Sequence, residues 1–101
     1  MRRAVALLHT DHDASELDAL VQRNGLRLVF TVRTDTRAVL AALIAVQHAL
    51  EHAAEVVVIP HLRSLGPDTP WWAVTDVAEL ITGTRLYPLR ASIFDALGDE
   101  S

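Results

Sequence analysis

The sequence predicts an α/β domain of three layers, a mostly parallel four-stranded sheet with helices on both faces. Three observations carry that reading. Short apolar runs alternate with longer segments of helical period, in the order β-α-β-α-β-α-β-α. The runs Ala4–Leu8 and Val56–Ile59 are continuous in apolar character, as in strands covered on both faces. And 101 residues suffice for one core but not for two, so residues 1–97 read as a single domain and 98–101 as a flexible C-terminal tail.

The elements follow in order. After the first strand, Asp13 can cap a helix with Glu16 three residues on, Leu17, Leu20 and Val21 make its apolar stripe, and Gly25 closes it. Leu26 to Val32 is the second strand. The long helix from Thr34 to Ala53, capped by Thr34 or Asp35, carries Val39, Leu43, Val46 and Leu50 on one face. Leu40, Ala42 and Ile44 widen that face, so heavy coverage is expected. Val56 to Ile59 is the third strand, followed by a loop over 61–69. Pro70 suits the first turn of a helix running to Ile81, with Gly83 beyond it. Arg85 to Leu89 reads as the fourth strand and Ala91 to Leu97 as a short terminal helix or turn.

Composition excludes several function classes. There are no cysteines, so disulfide and thiolate chemistry are absent. All nine basic residues are arginine, and the net charge is −4, which argues against strong autonomous nucleic-acid binding. None of the four glycines builds a phosphate-binding pattern, so no cofactor is expected. The apolar run after Met1 is too short for a membrane span or a signal segment, and a cytoplasmic protein is expected.

Two stretches carry a family likeness. Val5-Ala6-Leu7-Leu8-His9-Thr10-Asp11 leads into Leu17-Asp18-Ala19-Leu20, and Val57-Val58-Ile59 leads into Arg63-Ser64-Leu65-Gly66-Pro67. In these segments the chain resembles the catalytic domain of the serine recombinases, the resolvase/invertase family. The resemblance spans roughly residues 3–90 and implies a resolvase-like sheet with strand order 2-1-3-4. Family members attack a DNA phosphodiester with a serine, which forms the covalent phosphoprotein intermediate, and flank it with arginines, which stabilise the pentacoordinate oxyanion. At the matching positions the serine is His9, the motif arginine is Leu7 and the tyrosine is Val5. The later Asp-Arg pair is Arg63-Ser64, and the arginine after the glycine is Pro67. The resemblance thus implies a pseudo-enzyme with no recombinase mechanism. Its expected role is protein–protein contact, as a homodimer or with a regulatory or DNA-processing partner.

New chemistry at the same strand ends is the alternative. His9, His12 and His61 come near one another if the first and third strands are neighbours, with Asp11 and Asp13 close by. Such a set can bind Zn²⁺ or support a small hydrolytic enzyme. Solvated loop residues are the plainer account, and no fixed ligand spacing opposes it, so no metal is assigned. His48 and His52 stand at i, i+4 on the long helix and read as solvent-face residues beside Glu51 and Glu55. Arg33, Thr34 and Asp35 end the second strand, where helix capping accounts for them. Ser64 with His61 lacks the third group a nucleophilic triad needs. Trp71 and Trp72 lie off the core-facing stripe of Pro70, Ala73, Val74, Val77 and Ile81, which makes them a candidate interface.

Overall fold

Val56-Val57-Val58-Ile59 can be buried from either side, and it occupies the middle of the sheet. The computed structural model describes residues 1–63 and 65–90. The elements are β1 (Arg2–His9), α1 (Ser15–Arg23), β2 (Leu26–Thr34), α2 (Ala38–Glu51), β3 (Val56–Ile59), a 3₁₀-helix (Pro70–Asp76), β4 (Glu79–Thr82) and β5 (Leu86–Tyr87). The sheet runs β2-β1-β3-β4-β5. Its first four strands are parallel and β5 pairs antiparallel with β4.

Alternation along each strand divides the core in two. Ala4, Ala6, Leu8, Val56, Val58 and Ile81 face Leu17 and Leu20 of α1. Val5, Leu7, Val57, Ile59 and Leu80 face α2 and the 3₁₀-helix. This is the expected three-layer α/β arrangement, with one helix on one face and two on the other. α1 also ends as expected, with Asn24 Nδ2 donating to the Leu20 carbonyl at 2.8 Å and Gly25 at φ +61°. Its start differs slightly: the side chain of Asp13 accepts from Ser15 N–H at 2.8 Å, one residue ahead of the Ala14 cap.

The C-terminal third corrects the sequence reading. No helix continues from Pro70 to Ile81. A seven-residue 3₁₀-helix ends at Asp76, and the fourth strand is Glu79–Thr82. Residues 85–89 supply only the short fifth strand, Leu86–Tyr87. The physical reasons are local. Val74, Thr75 and Val77 are β-branched, and Thr75 Oγ1 donates to the Trp72 carbonyl at 2.6 Å in competition with helical bonding. Leu80 and Ile81 then enter opposite core clusters, which is a strand's period of two and not a helix stripe. The turn into β5 is built on Thr82, buried, whose Oγ1 accepts from Thr84 N–H and Arg85 N–H. The expected terminal helix at 91–97 and the tail at 98–101 lie outside the described residues.

The long helix also corrects the reading. α2 turns Ala41, Ala42, Ala45 and Ala49 to the sheet, not its leucines. Val39, Leu43 and Leu50 are 59%, 57% and 64% exposed, and Leu40 is 53% exposed. Neither Thr34 nor Asp35 caps it. The cap position is Arg37, without a side-chain bond, and Thr34 Oγ1 accepts from Thr36 N–H at 3.1 Å in the preceding turn.

Candidate functional site

β1 and β3 are parallel neighbours, so the loops after them open side by side. The first turns at His9, whose carbonyl accepts from His12 N–H at 2.9 Å. The second turns at Pro60, where Leu62 N–H donates to the Ile59 carbonyl at 3.2 Å and Gly83 N–H to the Leu62 carbonyl at 3.0 Å. The result brings the three expected histidines together. The His61 ring lies 6.2 Å from that of His9 and 6.1 Å from that of His12. Burial, and then the neighbouring His12 and His9, push the His61 pKa below the ordinary histidine range. The ring's surroundings therefore favour the neutral imidazole.

Two ring nitrogens here, His12 Nε2 and His61 Nδ1, are buried without a hydrogen-bond partner among the described residues. His12 Nε2 stands 3.4 Å from Glu16 Oε2, an ion-pair distance only when the ring is protonated. Glu16 Oε1 lies 3.4 Å from Arg63 Nη1. Beside them a cavity of about 240 Å³ is lined by His9, His61, Thr34, Thr36, Leu62 and Trp71 among others. The His61 imidazole at this mouth can exchange hydrogen bonds with a small polar ligand. The arginine of the neighbouring strand end is engaged elsewhere, since Arg33 Nη1 donates to the His12 carbonyl at 3.0 Å. Asp13 is held below the usual carboxylate range by the Ser15 N–H it accepts. Of the family-matched positions, Val5 and Leu7 are core, Arg63 and Pro67 are exposed, and Ser64 lies outside the described residues.

His9, His12 and His61 do not converge as metal donors. Among the described residues, three ligating atoms within 4.8 Å of one another occur at His48, Glu51 and His52 instead. Those histidines are not on the solvent face. Both are half-buried, and their rings stack on Phe30 of β2 with centroids 4.7 Å away. The sequence offered the spacing but not the stacking partner, which comes from a strand 18 residues earlier.

No family model, curated protein or solved structure matches the chain. The resemblance to serine recombinases therefore rests on the short motifs alone.

The tryptophans need separating. Trp71 is 6% exposed and belongs to the core beside Val74 and Leu80, so the expectation of two outward rings fails for it. The helical projection misplaced it because 3₁₀ geometry advances about 120° per residue rather than 100°. Trp72 is half-buried. Its indole N–H donates to the Gly66 carbonyl at 2.8 Å, and its ring meets Tyr87 edge-on at 5.6 Å. Tyr87 in turn accepts from Leu65 N–H at 3.2 Å, so the two aromatics hold the 61–69 loop.

The exposed surface lies elsewhere, and sequence reasoning missed it. Val39, Leu40, Leu43 and Leu50 form an outward stripe on α2, where only Glu51 is formally charged. A signal existed: Ala41, Ala42, Ala45 and Ala49 form a second complete stripe at helical spacing. A helix with two apolar faces buries one and leaves the other for something else.

Proposed function

We propose that this domain works by association and not by catalysis, and that two copies pair through α2. The exposed stripe of α2 carries the reading. Val39, Leu43, Val46 and Leu50 follow a 4-3-4 spacing, the a/d seam of a helix pair, and three of the four are more than half exposed. A seam without charge is complementary to itself, as a twofold pairing requires. The four exposed side chains lie together on one helix and form a contiguous apolar patch, a surface feature that often marks a contact site. With half-buried Ile44 and Val46 and the polar flanks, each copy can contribute about 600 Å², the lower end of specific interfaces.

The resolvase resemblance supports the same non-catalytic role. His9 stands where that family has its nucleophile, and Val5 and Leu7 leave no cation beside it. Under this reading the domain is a resolvase-like fold kept for its contacts, in a regulatory or DNA-processing setting.

Sedimentation velocity across a concentration series tests the pairing. Leu43→Lys and Leu50→Lys put like charges across the seam, and each should weaken the dimer by tenfold or more while leaving the dilute monomer's melting temperature nearly unchanged. A wild type that stays monomeric at millimolar concentration rules the pairing out.

A second reading has its own observation. The two unpartnered ring nitrogens at His12 and His61, beside the cavity, fit a small-ligand site at the strand ends. Ring-proton chemical shifts of His61 on addition of small polar metabolites distinguish it: a saturable shift supports this site and silence argues for the loop as a structural turn.

A further inference from the structure

We propose that His48, Glu51 and His52 form a binding site for a divalent transition-metal ion, with Zn²⁺ the ion their chemistry fits best. Two imidazoles and one carboxylate are the donor set of borderline ions, whereas Mg²⁺ and Ca²⁺ take oxygen ligands almost exclusively. The spacing His-x-x-Glu-His sets Glu51 at i+3 and His52, the C-cap of α2, at i+4 from His48, so that both flank it at the helix end. Their ligating atoms already lie within 4.8 Å of one another, and His48 Nδ1 is 3.5 Å from Glu51 Oε2. Donors around tetrahedral Zn²⁺ sit about 3.3 Å apart, given Zn–N bonds of 2.0–2.1 Å. The distances in hand exceed that by about 1.5 Å at most.

Independent features hold the three groups in place. His48 Nδ1 is buried and has no hydrogen-bond partner among the described residues, so its lone pair or proton is uncommitted in the direction of the carboxylate. Glu51 is oriented from its other oxygen, because Gln47 Nε2 donates to Oε1 at 3.0 Å and leaves Oε2 toward His48. The His52 backbone is anchored by Arg3, whose Nε donates to its carbonyl at 2.9 Å and satisfies the end of the helix. Phe30 lies against both rings, at interplanar angles of 31° and 19°. Its position is itself specified. The β1–β2 register shifts between Ala4 and Val5, so that Leu28 pairs with Ala4 and Phe30 with Val5, and Val29 is the extra residue. A bulge of this kind re-aims the side chains around it. Here it sets Phe30 on the α2 side of the sheet, where a regular ladder would have sent it to the α1 side.

Three protein ligands on a half-exposed helix end leave a fourth position for water, the pattern of a non-structural zinc site. Because all three come from consecutive turns, the ion would tie the end of α2 to itself and stabilise the native state by mass action.

Calorimetric titration of the untagged, full-length protein with ZnCl₂ tests the site, with MgCl₂ in parallel. The expected result is one Zn²⁺ per chain, no Mg²⁺ binding, and at least tenfold weaker Zn²⁺ binding in both His48→Gln and His52→Gln. The double variant His9→Gln/His61→Gln should bind as the wild type does. Absence of Zn²⁺ binding, or its loss in the strand-end double variant with retention in His48→Gln, overturns the proposal. Imidazole NMR signals of the wild type give the same answer without substitutions. On addition of Zn²⁺ the His48 and His52 rings should shift and those of His9, His12 and His61 should not, and the reverse pattern refutes the site. Leu43→Lys should leave the titration unchanged, so failure of the α2 pairing and failure of the metal site are separate results.

Discussion

Gly83 is the described glycine with least room. A Cβ there would meet the Pro60 carbonyl oxygen at 2.5 Å, Arg63 Nη1 at 2.8 Å and Glu16 Oε1 at 2.9 Å. The two side-chain ends can swing away, but the Pro60 carbonyl is backbone at the exit of β3 and cannot. Gly83→Ala should cost about 1–3 kcal/mol. At about 4–8 °C per kcal/mol for a domain of this size, thermal denaturation should detect it easily. An unchanged melting temperature would mean that the loop after β3 yields freely. His61, held by that loop, makes a second residue-scale prediction. Its folded pKa is depressed by burial first and by His12 and His9 next, so the native state binds fewer protons here than the unfolded chain. The neutral ring's contribution is intact above pH 6.5 or so and is lost as pH falls through the folded pKa. In an NMR titration His61 should have a midpoint below the ordinary histidine range, and His12→Gln should raise it. A His61 midpoint at or above the ordinary value contradicts the cluster's geometry.

At the scale of elements, legibility followed the period of burial. Ala4–Leu8 and Val56–Ile59 could be read directly because an uninterrupted apolar run has few uses besides a strand covered on both faces. Val58→Asp puts an unpaired charge against Leu17 and Leu20, at a cost of several kcal/mol, enough to unfold a domain of ordinary stability. Circular dichroism of the variant should show no cooperative melt, and a folded Val58→Asp protein would mean β3 is misassigned. The residues after Pro70 were not readable in the same way. Val74, Val77 and Ile81 match a helix stripe by spacing, and only the Thr75–Trp72 bond and the two-sided burial of Leu80 and Ile81 decide otherwise. For the candidate site, the meeting of His9, His12 and His61 followed from strand neighbours. The Phe30 stack did not, since it depends on a one-residue bulge that leaves no mark in composition. α2 misled for a different reason: leucine outweighs alanine on any hydropathy scale, yet alanine allows the helix to sit closer to the sheet.

For the whole molecule, charge decides what it can approach. A net charge of −4 opposes the approach of duplex DNA and weakens the counterion-release drive for binding it. Incubation with supercoiled plasmid should give no nicks, no covalent adduct after denaturation, and no retained DNA at physiological salt. A single trapped protein–DNA adduct would end the pseudo-enzyme reading. The alanine-lined seat of α2 has a consequence for folding itself. A helix with two apolar faces can dock in two rotational settings, and the rival setting would bury Val39, Leu43 and Leu50 in place of the alanines. Leucines are bulkier, so that setting would hold the helix farther from β1 and leave gaps over Val5 and Leu7. The energy difference between the settings is then mainly a packing difference, to which the contact of His48 and His52 with Phe30 adds. Pairing between copies would remove the ambiguity by occupying the leucines, and the second molecule would act as the first one's proofreader.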